Sequence, residues 1–340
     1  MGRHRRAATV ATVLAAVAVL ALITIPVAIA AFGAKTGNEG NVITAAPDFT
    51  PPAITATVVA KSLGGVTGFV RKGGTYFAYA NVSADTGNPA SGIATVKANL
   101  AELTGGQTEA ALTAGTYTAG GVTYNYRSAE LTASATVEGV KTYSVTATDK
   151  AGNALTVNGN ATVDNVVPTA TDVQTANGGG TVGKPEEKDS ITFTFSEPID
   201  PQSILAGWNG AATNVVVRMV DNGLLGLPTG NDELFVYNAA NTATLPFGAV
   251  NMGRGDYVAG LLGGSINLGA SGTKTTMVMS GNTITITFGT EAAEGILIGP
   301  TTAAAGAAMT WTPVATPYDR AGNLMSTTPA IQSGAVHKNL

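Results

Sequence analysis

Asp149-Lys150-Ala151-Gly152-Asn153 and Asp319-Arg320-Ala321-Gly322-Asn323 are one turn written twice, 170 residues apart (149 and 319). Glycine reaches positive φ without a Cβ clash, and the short Asp and Asn side chains bond to the exposed backbone of a tight turn. Each copy closes an alternating run. Before the first, Tyr143, Val145 and Ala147 face one way and Thr142, Ser144, Thr146 and Thr148 the other. A period of two predicts a half-buried antiparallel strand. The same alternation runs through residues 76–82 and 93–100, then through Ile191, Phe193 and Phe195, and through Ile284, Ile286 and Phe288. A spacing of this size is too long for a propeller blade or a short solenoid unit. It suits successive β-sandwich domains, one of them carrying an insertion.

Working outward, each repeat also opens alike. Asp48-Phe49-Thr50-Pro51-Pro52-Ala53-Ile54 and Asp164-Asn165-Val166-Val167-Pro168-Thr169-Ala170 both set proline a few residues after aspartate, just before a strand. Proline there stiffens the link and stops the preceding strand from continuing. The predicted modules are therefore residues 48–164 and 165–340, with a Gly- and Leu-rich insertion in the second near 221–275. No helix is predicted after the N-terminal leader; the alanine-rich stretch 303–308, broken by Gly306, reads as a loop.

The first residues include Arg3, Arg5 and Arg6, followed by an almost uninterrupted apolar run over 7–32. This is the pattern of an export signal. Ala28-Ile29-Ala30 places cleavage after Ala30, giving a signal peptide of 1–30 and a linker of 31–47. An uncut leader, long enough to span a bilayer, is the alternative and the chain's one expected route to a membrane. The absence of cysteine excludes disulfides, thiol nucleophiles and zinc–thiolate centres, so packing must hold the fold. The formal charge of −4 includes the three leader arginines, and charged residues are 12% of the chain, which argues against a basic nucleic-acid face. With 43 Gly, 15 Pro and scattered Thr, Asn and Ser between short apolar runs, the body reads as all-β and rich in turns. Its apolar residues are largely Ala and Val, which suits thin sandwiches.

These residues carry resemblances. Residues 31–45, Ala-Phe-Gly-Ala-Lys-Thr-Gly-Asn-Glu-Gly-Asn-Val-Ile-Thr-Ala, resemble the leader junction of bacterial proteins processed by the SipW-type signal peptidase, with Gly33 where Ser or Asn is usual. Such leaders occur on biofilm matrix and surface proteins. The run Tyr143-x-Val145-x-Ala147-x-Asp149-x-Ala151-Gly152-Asn153 resembles the closing hairpin of bacterial immunoglobulin-like surface domains, and Asp164 followed by Pro168 their inter-domain link. Ile191-Thr-Phe-Thr-Phe-Ser-Glu-Pro-Ile-Asp200-Pro201 resembles the early strand of the bacterial Ig-like type found in S-layer proteins. The resemblance spans most of 48–340 and implies two tandem Ig-like antiparallel β-sandwiches. The second departs from it through its insertion and through Trp311 and Tyr318 near the last strands.

Chemistry-bearing residues are sparse. His4 and His337 sit at the two ends of the chain, so neither a histidine triad nor a multi-histidine metal site can form within the fold. Ser271-Gly272-Thr273-Lys274 spells Ser-x-x-Lys, but in a glycine-rich loop with no helix to present it. Glu186, Glu187 and Asp189, beside Lys184 and Lys188, read as a solvated turn. Arg254-Gly255-Asp256 spells an integrin-read tripeptide that coincidence explains in a glycine-rich chain. No phosphate-binding or dinucleotide loop is present. The Ig-like topology implied by the resemblance gathers one set. It returns two inter-strand connections and the incoming linker to one pole, and so brings Asp164 and Asn165, Glu197 and Asp200, and Asp319 and Asn323 to the joint between modules. Oxygen donors from three segments are what calcium requires; Asp48, Asp85 and Asp149 echo the set in the first module. The competing expectation is that each carboxylate caps its own turn and faces water.

The expected protein is thus exported, extracellular or on the cell surface, and non-catalytic. Its Ig-like modules would be structural or adhesive, calcium would stiffen the joint, and the partners would be cell-envelope or matrix components or other copies of the chain. Two alternatives stand beside it. One is a carbohydrate- or surface-polymer-binding module with Trp208, Tyr237, Tyr257 or Trp311 as stacking platform, against core filling by the same rings. The other is a secreted hydrolase built on a carboxylate pair.

Overall fold

The computed structural model describes residues 48–87, 89–223, 229–260, 264–295, 297–336, 338 and 340. The expected signal peptide, the linker and His337 lie outside the described residues. The described chain is all-β, as the alternation predicts, with two single turns of helix, Ala101–Thr104 and Pro201–Ile204, that the alternation does not reveal.

The strands of the first half join into one sheet. Its order is Ile54–Lys61, Thr75–Val82, Val122–Ser128, Ala110–Ala119, Ile93–Asn99, Gly139–Asp149, Ala154–Val163 and Phe69–Val70, with Leu131–Thr132 added beside Thr75–Val82. All pairings are antiparallel except the last. Ala110–Ala119 links what a sandwich would keep as separate layers. Its start, Ala110 and Ala111, pairs with Ala98 and Lys97, and from Leu112 onward it pairs with Val122–Ser128 across a register shift between Ala114 and Tyr117. A bulge bends a strand and increases its twist. The sheet folds over until Ile54–Lys61 packs on Ala154–Val163. The enclosed core includes Val59, Tyr76, Ala78, Val96, Tyr143, Val145 and Ala147, which are the inward members of the alternating runs.

The second half forms another continuous sheet, ordered Ala170–Ala176, Ser190–Phe195, Thr283–Thr287, Thr275–Ser280, Thr213–Asp221, Glu233–Asn238, Ala249–Asn251, Thr310–Thr312 and Ala330–Ile331. The last strand lies against the first, so this sheet also coils on itself like a barrel. Both halves thus depart from the expected stacked layers, because shared and bulged strands leave no break at which a sheet could split in two. The stretch 221–275 is woven into the sheet. Glu233–Asn238, Ala249–Asn251 and Gly264–Leu268 all come from it, and Gly264–Leu268 pairs with the end of Thr213–Asp221.

The second core is more aromatic than the composition suggests. Phe193 lies with its ring centroid 4.7 Å from Phe247 and 4.9 Å from Trp311, and Phe195 lies 5.1 Å from Trp311. The Trp311 indole N–H donates to the Phe247 carbonyl at 2.6 Å, which satisfies its polar end within the core. The residues of this core run from Val173 to Leu340, and those of the first core from Val59 to Val163.

Candidate metal centre

The repeated turn folds alike at both sites. Asn153 N–H donates to Asp149 Oδ1 at 2.8 Å and Asn323 N–H to Asp319 Oδ1 at 2.9 Å. Gly152 and Gly322 take φ of 96° and 95°, a left-handed conformation that glycine adopts without strain. Each asparagine amide then reaches beyond its own turn. Asn153 Nδ2 donates to Asp149 Oδ2 and to the Asp48 carbonyl, and Asn323 Nδ2 to Asp319 Oδ2 and to the Asp164 carbonyl. The turn therefore clamps the segment entering each half, and so draws acidic side chains together.

Two acidic triads result. Asp48, Asp85 and Asp149 each place a carboxylate oxygen within 4.8 Å of the others, and Asp164, Glu197 and Asp319 do the same. Their electrostatics differ because their donors differ. In the first triad Asp48 accepts from Thr50 N–H at 3.0 Å and Ser91 N–H at 2.9 Å, and Asp85 from Gly87 N–H and Gly92 N–H. The Thr50 N–H, followed by bonds from Ser91, holds Asp48 down at about 2. A carboxylate bonded by several N–H groups keeps its charge. In the second triad Asp164 accepts from Val166 N–H, while Glu197 Oε1 is enclosed and has no hydrogen-bond partner among the described residues. Burial, then the charges of Asp164 and Asp319, push Glu197 up to about 7. Burial also raises Asp319, against the N–H bonds of its own turn. Asp319 accepts from Ala321, Gly322 and Asn323 N–H and from Asn323 Nδ2, so the shortage of donors falls on Glu197. A negative cluster with one bare carboxylate oxygen suits a proton or a hard cation.

Of the six residues expected at the joint, Asp164, Glu197 and Asp319 bring their carboxylates together there, and Asn323 joins them through its amide nitrogen. Asp200 does not: its Oδ2 is 2.6 Å from Lys61 Nζ and 2.9 Å from Val66 N–H, and its Oδ1 caps the turn Pro201–Ile204 through Gln202 N–H. A lysine ammonium at that distance occupies the place a cation would take. Asn165 Oδ1 accepts from Lys72 N–H at 2.6 Å, and Asn323 presents its amide nitrogen to the cluster, so neither is placed as an oxygen ligand. The reading that each carboxylate caps a turn fits the first triad; facing water fits neither Asp149 nor Asp319, which are buried.

Other expected residues take structural places. Trp208, Tyr257 and Trp311 are buried, and Tyr237 lies under the Arg218 guanidinium, 4.4 Å from its centroid. The stacking platform therefore loses its basis, and core filling accounts for the buried rings. Lys274 Nζ donates to the Ala270 carbonyl at 2.9 Å, and among the described residues no hydrogen bond joins it to the Ser271 hydroxyl. Arg254 and Asp256 close on each other, Nε to Oδ1 at 2.7 Å. Asp189, expected in a solvated turn, is fully buried and caps Gly178 and Glu186 N–H.

Sequence reasoning missed Lys61. Its Nζ donates to Asp200 Oδ2, to the Val66 carbonyl at 3.0 Å and to the Arg320 carbonyl at 2.8 Å, which uses all three ammonium protons. A Cβ at Gly65 would collide with the Asp200 carboxylate, which gives the Gly64-Gly65 turn its signal in retrospect.

No family model matches the chain, and no curated protein does. Among solved structures, dimeric latent PorU from Porphyromonas gingivalis is 16% identical over 74% of this chain and 21% of its own, with a TM-score of 0.21. The C-terminal domain of the Streptococcus pyogenes antigen I/II-family protein AspA is 11% identical over 84% of this chain and all of its own, at 0.20. The C-terminal domain of the Streptococcus agalactiae AgI/II polypeptide BspA is 12% identical over 82% and 99%, at 0.19. The chain spans about a fifth of PorU, and TM-scores this low decide neither its fold nor its function.

Proposed function

We propose that this is an exported, non-catalytic structural or adhesive protein of the cell surface or matrix. Its modules, residues 48–164 and 165–340, are held in fixed relation at a calcium-stiffened joint. The observation that carries the reading is the triad Asp164, Glu197 and Asp319, which sits where the linker enters the second half and contains the unpartnered Glu197 Oε1. These three side chains would hold the ion, and calcium would supply neutralisation of three mutually repelling carboxylates. Beside it the Lys61–Asp200 pair crosses the same seam. A stiff seam suits a spacer that presents a surface to envelope or matrix components, or to another copy of the chain.

The test is a distance distribution between spin labels placed in the two halves, in chelator and in millimolar calcium. The reading expects calcium to narrow the distribution in the native chain and to leave Glu197→Gln unchanged. A distribution indifferent to calcium in both would remove the joint. Hydrolysis of glycans, esters or peptides by the pure protein would remove the non-catalytic assignment.

A further inference from the structure

We infer that the second half holds another divalent-cation site, between Asp221 and Asp232, independent of the joint. Asp221 ends the strand Thr213–Asp221, and Asp232 directly precedes Glu233–Asn238. These strands pair antiparallel from Val215↔Asn238 to Val220↔Glu233, so the next positions outward set Asp221 opposite Asp232. Directly opposed residues of an antiparallel pair carry their Cβ atoms about 5 Å apart on one face. That face is the inner one, because Val217 and Met219 on one strand and Leu234 and Val236 on the other belong to the core. Two carboxylates therefore stand side by side at the end of an apolar interior, where like charges repel.

The two are deeply placed and incompletely bonded. Asp232 is 0% and Asp221 5% exposed. Asp232 Oδ2 accepts from Tyr257 and Val258 N–H, both at 2.9 Å, and Asp221 Oδ1 accepts from Gly223 N–H. Asp232 Oδ1 and Asp221 Oδ2 have no partner among the described residues, and no lysine or arginine there forms an ion pair with either. An unpaired buried charge is costly, and a second carboxylate beside it adds repulsion. Burial pushes Asp232 up to about 7, against the N–H groups of Val258, Tyr257 and Asn222 and with the charge of Asp221 behind it. A cation answers both defects at once: it takes the two free oxygens and cancels the repulsion. The donors are hard oxygens throughout, and Asn222 and Asn231 stand next to them in sequence with amide nitrogens engaged by the Asn231 carbonyl and Asn251 Oδ1. This chemistry selects calcium over a softer metal.

The test is calorimetric titration of the full chain with calcium after chelation, in a Glu197→Gln background that silences the joint. The inference expects saturable uptake that persists in that background and weakens by about tenfold or more on adding Asp232→Asn or Asp221→Asn. Because Asp232→Asn removes a buried charge, it is also expected to melt higher than its parent in chelator while losing the rise that calcium gives the parent. No uptake in the Glu197→Gln chain, or uptake untouched by both asparagine variants, would overturn the site. Uptake by the native chain that Glu197→Gln alone abolishes would overturn it while sparing the joint.

Discussion

Lys61 and Asp200 form an ion pair of 2.6 Å with 4% and 0% of their side chains exposed, although 139 residues separate them. Lys61 ends the first strand of the first half, and Asp200 caps a helical turn in the second. The pair is also hydrogen-bonded to Val66 and to Arg320, so neither charge depends on its partner alone. Burial draws the Lys61 ammonium below its usual value, against the pull of Asp200 and Asp319.

Truncating one partner strands the other. Lys61→Met is expected to destabilise by about 3–5 kcal/mol, the range for an uncompensated buried charge. Adding Asp200→Leu to it is expected to recover part of that loss, since the stranded carboxylate goes. Denaturant unfolding of the native chain and the two variants checks this; equal stability of Lys61→Met and the native chain would mean that the pair is solvated.

The two asparagine clamps make equivalent bonds, so their loss is expected to be equivalent locally. Asn153→Ala and Asn323→Ala each leave an acceptor pair unsatisfied, at about 1–3 kcal/mol. Only Asn323→Ala is expected to broaden the label distances across the seam, because its second acceptor is the Asp164 carbonyl of the incoming linker. Gly322→Val is expected to be at least as damaging, since a β-branched residue does not adopt a φ of 95° without strain.

The strands were legible because alternation is local: Tyr143, Val145 and Ala147 face the core as their spacing says. The turns were legible for the same reason, whereas the meeting of Asp164, Glu197 and Asp319 was expected from the topology that the Ig-like resemblance implied and not from any local pattern. Asp200 was misplaced because its partner lies in the other half, and no local pattern announces Lys61. Closure of the first sheet was hidden as well, since Ala110–Ala119, which carries a register shift between Ala114 and Tyr117, reads in the sequence as one more strand. Asp221 and Asp232 flank a glycine-rich stretch that looks like surface loop, and it takes the pairing of Val220 with Glu233 to set them opposite each other on the core face.

Trp311 distinguishes a core from a binding surface. It is 0% exposed, against Phe193 and Phe195. Trp311→Ala is expected to cost about 3–5 kcal/mol through the cavity it leaves. Affinity for polysaccharides, measured below the variant's melting temperature, is expected to be the same for both proteins. A selective loss of glycan binding by a variant of unchanged stability would restore the platform reading.

Proton linkage gives the last expectation, and its sign follows from the direction of two shifts. Glu197 rises from an ordinary 4.5, and Asp232 from 3.8, each to about 7 in the fold. Between the ordinary and the raised values the native state binds more protons than the unfolded chain, so stability falls as pH rises through that window. Each unit of separation corresponds to about 1.4 kcal/mol before solvent screening, which discounts the partly exposed Glu197 more than Asp232. Asp48 shifts the opposite way, to about 2, and its effect is confined to pH values below the ordinary carboxylate range. In chelator the chain is therefore expected to melt higher at pH 5 than at pH 8. Calcium at pH 8 is expected to close most of that gap, because it takes over the neutralisation that protons supply at pH 5. Glu197→Gln with Asp232→Asn is expected to flatten the profile and to remove the response to calcium. Melting curves that rise from pH 5 to pH 8 in chelator would show that these carboxylates are ionised and satisfied without either partner.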